Sequence, residues 1–545
     1  MRGRSGAPTL KLGGRTISFH WVVLCLVLLF VIAVRVRLSG FPLERDEGEY
    51  AYMGQLILQG VPPYSGAYNM KLPGTDLMYA LIMTLFGRSA RGIHLGFMIV
   101  NCATILLLYR IGRRFVSETG AVAAAAAYAV LSLSPSVYGF AAHATHFVVL
   151  PALGGMLVLL AAEEKERLMP YFWSGVLFGI SFVMKQPGLF FVLFGVSVVL
   201  YRRFFPGPRG SRRTLLPVLP LFLFGAALPL LGVIVWITAS GTFGRFWFWT
   251  VEYAARYAVQ VPLTEVFPMF QLGLAEATAD FRLLWGIALL GIVVMIFYRK
   301  MRSERVLFGL FALFSFLTIL PGFYFRAHYF VTLLPAVSIS VGIVVDYLDE
   351  KGAAFFGARS LRFIGAAVVC AVVVWGVYAG AGYYFREEPA KLSGQIYFPN
   401  PFAASPEIAR YLDERTSPAD RVAVFGSEPQ IFFYANRRSA SGYIYTYGLM
   451  EDHEYARGMQ RDMVRQIEVS DPKFIVDVHV PTSWLIHPGS DRYIFGWFNN
   501  FVSERYFLTG VVDLISPGAT VVKWGGEARD YDMQSPFYVL VYERK

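Results

Sequence analysis

Glu44-Arg45-Asp46-Glu47-Gly48-Glu49-Tyr50 stands just beyond the first apolar run of the chain, which extends from about Ile17 to Ala33. Further on the chain reads Tyr68-Asn69-Met70-Lys71-Leu72-Pro73-Gly74. Carboxylates followed by a lysine at the edge of a membrane suit chemistry in which a base activates a hydroxyl and a cation holds a phosphate. The setting is a chain of 545 residues that is 56% hydrophobic, with a mean hydropathy of +0.49. A hydrocarbon core of ~30 Å needs about 20 apolar residues per helix, and the chain supplies such runs repeatedly.

Eleven spans are predicted, near 17–37, 92–109, 119–137, 144–162, 170–184, 186–201, 214–238, 281–298, 305–321, 329–345 and 362–380. Arg2, Arg4, Lys11 and Arg15 precede the first, and no small-residue cleavage site follows it, so it reads as an uncleaved span after a cytoplasmic N-terminus, 1–16. Clusters such as Arg110, Arg113 and Arg114, or Arg202, Arg203, Arg209, Arg212 and Arg213, then fall in cytoplasmic loops. Arg35, Arg37, Arg88 and Arg91 dissent from that orientation. The net charge of +11 is thereby explained by short basic loops, and a nucleic-acid partner is not expected. Cys25, Cys102 and Cys370 all lie in apolar runs, which argues against a disulfide framework or a cysteine metal site.

The outer loop 38–91 reads as two interfacial helices joined by Val61-Pro62-Pro63-Tyr64. Residues 46–59 carry Tyr50, Met53, Gly54 and Ile57 at helical spacing, and 76–87 is too short to cross upright. The membrane part closes at 380. Residues 385–545 are richer in charge, contain no spanning run, and are expected on the outer face as a soluble α/β domain. Its predicted helices are Pro406–Thr416 and Glu428–Asn436, and its predicted strands Arg421–Gly426, Lys473–Val480 and Phe537–Glu543. It holds no Gly-rich phosphate loop.

Acids in a first helical turn complement the helix dipole, yet three carboxylates at a membrane–water boundary also have the tunable pKa values a general base needs. Helical spacing places Asp46 and Glu49 on one face and turns Glu47 about 100° away. Lys71 reads either as a snorkelling lysine or as a phosphate contact. Other candidates on the same side are Lys185-Gln186-Pro187 at a break between two spans, Phe325-Arg326-Ala327-His328-Tyr329 in a turn, and His143 with His146. The loop 239–280 adds Arg245, Glu252 and Arg256 among aromatics and is expected to form a surface helix or a cover.

The order "one span, Asp-Glu, interfacial helix, Lys-x-Pro, short helix ending in Phe-Gly" resembles the GT-C membrane glycosyltransferases, in the ArnT-like and protein O-mannosyltransferase-like branch. The supporting stretches are Asp46-Glu47-Gly48-Glu49-Tyr50-Ala51-Tyr52, Lys71-Leu72-Pro73-Gly74, Tyr109-Arg110-Ile111-Gly112-Arg113-Arg114-Phe115, Lys185-Gln186-Pro187, and His328-Tyr329-Phe330 with Leu334-Pro335. The resemblance implies a polytopic α-helical membrane protein of the cell envelope with a GT-C domain over 17–380 and an extracytoplasmic α/β domain over 385–545. It implies an enzyme of the cytoplasmic membrane that transfers a sugar, with inversion, from a polyprenyl-phosphate donor to a lipid, glycan or protein acceptor.

Carried over by the same resemblance, Asp46 is the general base and Glu47 its support or a cation ligand. Lys71 holds the donor phosphate, with Arg326 as a second contact. Glu49, Tyr50, Lys185, His328, His146 and Arg256 complete the candidate site. A divalent cation, Mg or Mn, is left open, with Glu47, His146 or His328 as ligands. Some positions depart from the family. The lipid-A-modifying branch reads Glu-Lys-Pro-Pro where this chain has Met70-Lys71-Leu72-Pro73, and it places a basic residue where Glu49 sits. Many relatives carry an acid near span four, where this chain has Ala144-Thr145-His146.

Two other classes stay in view, a lipid-linked sugar flippase and a catalytically inactive assembly protein. A transporter needs ionisable groups near the bilayer midplane. Here the polar residues gather at span ends, which favours the enzyme.

Overall fold

The computed structural model describes residues 9–12, 15–165, 167–205, 215–302, 304–356 and 363–545. Arg2, Arg4, Arg209, Arg212 and Arg213, used above for orientation, lie outside these residues. An antiparallel pair, β1 (Thr9–Leu12) with β2 (Arg15–Ser18), occupies part of the stretch expected only as a charged N-terminus.

Each of the eleven apolar runs contains a helix, the backbone's means of bonding to itself where water is absent. Length divides them. Among the described residues six helical segments are long and apolar enough to cross a bilayer: Phe19–Leu38 (α1), Ala90–Phe115, Ala144–Glu163, Gln186–Phe204, Pro217–Ala239 and Leu263–Phe297. Leu334–Phe356 has 23 residues but carries Asp346, Asp349 and Glu350 in its second half. The other four, Glu118–Leu131, Met169–Met184, Arg305–Leu317 and Ile364–Ala379, have 14, 16, 13 and 16 residues. A 14-residue helix covers about 21 Å, short of the ~30 Å core. The eleven predicted runs are thus eleven helical segments of unequal reach, six of which are by themselves long and apolar enough to cross. The run 119–137 shows why: Ser132 and Ser134-Pro135 end its helix at Leu131 and turn the rest into the 3-10 helix Pro135–Val137.

The chain divides into two compact units. The first comprises 1–37, 94–232 and 261–386 and is helical beyond the β1–β2 pair. Its helix Glu118–Leu131 packs on Leu334–Phe356, and Ala144–Lys165 on Met169–Met184. It also explains two of the dissenting arginines. Arg35 is 4% exposed; its Nε donates to Asn101 Oδ1 at 3.0 Å and its Nη2 to the carbonyls of Ser132 and Gly139, each at 3.1 Å. Arg37 Nε donates to the Tyr384 carbonyl at 2.8 Å. These guanidiniums tie helix ends together instead of marking a basic loop.

The second unit comprises 38–93, 233–260 and 387–545. It holds α2 (Arg45–Leu58) and α3 (Gly74–Phe86), which pack on one another. The stretch within 239–280 expected as a surface helix or cover is a continuous, mostly exposed helical run in this unit, α over Phe243–Trp247, π over Phe248–Tyr253 and α again over Ala254–Tyr257. Its remainder, from Val266, is the helix that leads into Arg282–Phe297 in the first unit.

The C-terminal part of this second unit builds a six-stranded mixed sheet in the order β4-β3-β5-β8-β6-β7. Its strands are β3 (Arg421–Phe425), β4 (Arg438–Ser439), β5 (Phe474–His479), β6 (Tyr506–Ser516), β7 (Ala519–Trp524) and β8 (Tyr538–Arg544). β4, β3 and β5 run parallel, whereas β8, β6 and β7 are joined by antiparallel pairings. The predicted helices appear as Ser405–Arg415 and Gln430–Ala435, and Ala456–Ser470 and Tyr493–Arg505 are added. Val422, Val424, Phe474, Val476, Val539 and Val541 are at most 3% exposed and fill the sheet's interior.

Candidate active site

The N-terminus of α2 is fixed by its own sequence. Glu44 is the N-cap: its Oε1 accepts the Glu47 N–H at 2.8 Å, and its carbonyl accepts the Gly48 N–H at 2.8 Å. Burial, with the charges of Asp46 and Glu47 added, pushes the Glu44 carboxyl well above the usual carboxylate range. Asp46 and Glu47 fill the first turn, where the dipole favours them. Their environments differ. The Asp46 side chain is 17% exposed, whereas Glu47 and Glu49 are buried.

Lys71 comes from the turn between α2 and α3. The Tyr64 hydroxyl donates to the Lys71 carbonyl at 2.8 Å, and the Lys71 N–H donates to Asn69 Oδ1 at 2.9 Å. The turn so held presents the ammonium to α2. Nζ donates to Asp46 Oδ1 at 2.9 Å and to Glu49 Oε2 at 2.5 Å, and it lies 4.5 Å from the centre of the Tyr50 ring. Asp46, Glu49, Tyr50 and Lys71 are therefore brought together, on the face of α2 that a 3.6-residue period defines.

Burial pulls the Lys71 pKa down, but the Asp46 and Glu49 charges outweigh it and hold the ammonium well above its ordinary range. Burial raises Glu49 to about 7 against the opposing charge of Lys71. Asp76, in the first turn of α3, is pushed well up by burial and then by Glu49. The arrangement is a fixed cation, a partly exposed carboxylate with a basic lone pair, and a second carboxylate that titrates near neutrality. That set can take a proton from one group and bind an anion at another.

Two residues of the C-terminal stretch enter this cluster's surroundings and were not anticipated. The Tyr445 hydroxyl donates to Asp46 Oδ1 at 2.9 Å. Arg45 pairs with the buried Glu428 at 2.5 Å and donates through Nε to the Ser427 carbonyl at 2.5 Å. The local sequence signal for Tyr445 is weak, three alternating tyrosines at 443, 445 and 447.

The remaining candidates have the following neighbours. In the first unit Lys185 Nζ sits 4.1 Å from the centre of the Tyr329 ring. The rings of His143 and His328 stack at 4.3 Å and 10°, and His328 meets Tyr329 edge-on at 4.8 Å. His146, 1% exposed, packs on Phe97 at 4.7 Å. The Arg326 guanidinium lies 5.5 Å from the Tyr324 ring centre. Arg256, in the second unit, forms an exposed ion pair with Glu454 at 2.7 Å. Cys25, Cys102 and Cys370 are free thiols.

Residues 71–237 match the family model described as dolichyl-phosphate-mannose-protein mannosyltransferase, beginning at Lys71. No curated protein sequence matches the chain. Solved structures of the same architecture include ArnT from Cupriavidus metallidurans bound to undecaprenyl phosphate, 14% identical with a TM-score of 0.55, covering 92% of this chain and 97% of that one. The archaeal oligosaccharyltransferase AglB from Archaeoglobus fulgidus, in complex with an inhibitory peptide and a dolichol-phosphate, is 14% identical with a TM-score of 0.52 over 95% of this chain and 75% of its own. The Archaeoglobus fulgidus oligosaccharyltransferase in complex with Zn and sulfate is 13% identical, with a TM-score of 0.54 over 94% and 74%. At such identities the likeness establishes the fold.

Proposed function

We propose that this chain, a GT-C membrane protein of the ArnT-like and protein O-mannosyltransferase-like kind, is a glycosyltransferase. In this reading it moves a sugar from a polyprenyl-phosphate donor to an acceptor hydroxyl or amide on the outer face of the cytoplasmic membrane. The observation that carries the reading is Lys71 Nζ lying 2.9 Å from Asp46 Oδ1, inside a chain of this fold. Undecaprenyl phosphate bound to ArnT and dolichol-phosphate bound to AglB support the donor class.

Asp46 takes the proton of the acceptor as its oxygen or nitrogen attacks the anomeric carbon. The bond from that carbon to the phosphate oxygen breaks on the opposite side, so configuration inverts. The polyprenyl phosphate leaves carrying the electron pair, and the Lys71 ammonium stabilises its charge. Arg326 is assigned a second phosphate contact. Glu47, fully buried in the same first turn of α2 as the base, is assigned the supporting role.

A divalent cation is part of the proposal. The stacked imidazoles His143 and His328 are nitrogen donors, which suit a transition metal better than Mg. Such an ion, held there, would supply charge stabilisation for the leaving phosphate.

The deciding experiment is transfer by the purified protein from a panel of polyprenyl-phosphate sugars, wild type against Asp46→Asn. Transfer by the wild type and a loss of at least about a hundredfold in a folded Asp46→Asn protein is the expected result. Equal transfer by both proteins would remove Asp46 from its role.

A further inference from the structure

We propose that Tyr445 is a positioning residue for the transfer reaction, holding the Asp46 carboxylate in the attitude in which it takes the acceptor's proton. The inference rests on the reading of Asp46 as the base, and it gives the C-terminal part of the chain a share in the reacting centre.

Tyr445 and Lys71 both donate to the same oxygen, Asp46 Oδ1, each at 2.9 Å. The terminal torsion of an aspartate is broad and roughly two-fold, so a carboxylate at a helix start turns unless donors fix it. Lys71 alone is a poor clamp, because in the proposed reaction its ammonium is drawn toward the donor phosphate. A neutral hydroxyl does not compete for that phosphate charge and keeps its hold on Asp46 through the reaction. Burial, reinforced by the charges of Asp46 and Glu49, keeps the Tyr445 phenol well above its ordinary pKa, so it remains a donor at working pH.

The segment that carries Tyr445 is itself anchored on both sides. Before it, the Gly442 carbonyl accepts the Tyr68 N–H at 2.8 Å, and a Cβ at Gly442 would fall 2.4 Å from the Tyr68 ring. After it, the Thr446 N–H donates to Ser427 Oγ and its hydroxyl to the Ser483 carbonyl, each at 2.9 Å. The Tyr447 hydroxyl donates to the Thr482 carbonyl at 2.9 Å. A hydroxyl held between two such anchors has a fixed position to offer its partner, which is what preorganisation requires.

The test uses the full-length protein with a donor and acceptor that the wild type turns over, and compares Asp46→Asn, Tyr445→Phe and Lys71→Met. Tyr445→Phe is expected to lower kcat about tenfold to a hundredfold, the worth of one hydrogen bond to a charged group, while the donor KM stays within about twofold. Affinity for sugar-free polyprenyl phosphate should be unchanged in Tyr445→Phe and fall in Lys71→Met. Because loss of the hydroxyl also disturbs packing, two isosteric replacements complete the set, Tyr445→p-aminophenylalanine, which still donates, and Tyr445→p-methylphenylalanine, which does not. A higher kcat for the amino variant supports positioning whatever the stability of either protein. Equal kcat in those two, or a Tyr445→Phe effect confined to KM, overturns the proposal while Asp46→Asn remains inert. Full transfer by Asp46→Asn overturns the base reading and this proposal with it.

Discussion

Lys71 is already occupied by Asp46 and Glu49, so a donor phosphate gains its ammonium only by loosening one of them. Glu49 is the one whose hold on Lys71 depends on pH near neutrality, because burial places its pKa at about 7. Deprotonated, it grips Lys71 as an ion pair; protonated, it leaves the ammonium charge for an incoming anion. Affinity for polyprenyl phosphate is therefore expected to rise as pH falls from 8 to 6, and Glu49→Gln should flatten that dependence. A slope that persists in Glu49→Gln would assign the titration to another group. The same shift has a stability consequence of definite sign. The folded state binds this proton more tightly than the unfolded chain, so stability contributed by Glu49 is present below about 4.5 and is lost as pH rises through about 7. Thermal melts should show Tm of the wild type falling over that window relative to Glu49→Gln. The shared face of Asp46 and Glu49 was legible in the sequence because helical period alone determines it. Tyr445 was not, since its approach to Asp46 depends on how the sheet region is arranged 399 residues away.

At the scale of elements, α2 is gripped by the helix Gln430–Ala435 as closely as a backbone allows. A Cβ at Gly48 would lie 2.6 Å from both the Cβ and the backbone nitrogen of Gln430. Gly48→Ala should thus cost about 1–3 kcal/mol through overpacking and shift the start of α2, lowering Tm and transfer together; unchanged melting would mean that the two helices can part without loss. Arg45, next to the candidate base, carries a second tie. Removing it alone leaves Glu428, which is fully buried, without its cation, a loss on the order of 3–5 kcal/mol. The double variant Arg45→Met, Glu428→Gln should recover part of that in a denaturation series, whereas additive losses would show that the two side chains are not coupled.

These contacts also show which elements a sequence reveals. α2 and α3 were readable from amphipathic spacing and the Pro-rich turn between them. β6 and β7 were overlooked although Ser516-Pro517-Gly518 separates two valine-rich strands, with Gly518 at φ 85. Their alternation is interrupted by a bulge between Leu514 and Ser516, which hides the two-residue period.

On the scale of the whole molecule, the second unit is assembled from three separate stretches of chain, 38–93, 233–260 and 387–545. Composition alone suggests a boundary near 385, because apolar runs stop there, and a reader of the sequence is led to treat the rest as an appended domain. The contacts give that stretch partners in the other two. The Tyr52 hydroxyl accepts the Ser439 N–H at 2.8 Å at the edge strand β4, Tyr68 stacks on Trp249 at 5.4 Å, and the Tyr253 hydroxyl donates to Glu451 at 2.8 Å. Each tie joins the C-terminal stretch, or its neighbour 233–260, to a segment that lies between apolar runs. A piece comprising only 387–545 keeps the sheet, whose six strands are all its own, but loses α2, Tyr68 and Tyr253 as partners. Expressed alone, it is expected to retain slow hydrogen exchange in β3, β5 and β8, while Gln430–Ala435 and 439–447 exchange faster than in the full protein. Equal protection of those two segments in the excised piece would show that they are ordered without α2, and that the C-terminal stretch is an independent domain. Fast exchange confined to them would show instead that the helix bearing Asp46 and the segment bearing Tyr445 hold one another in place.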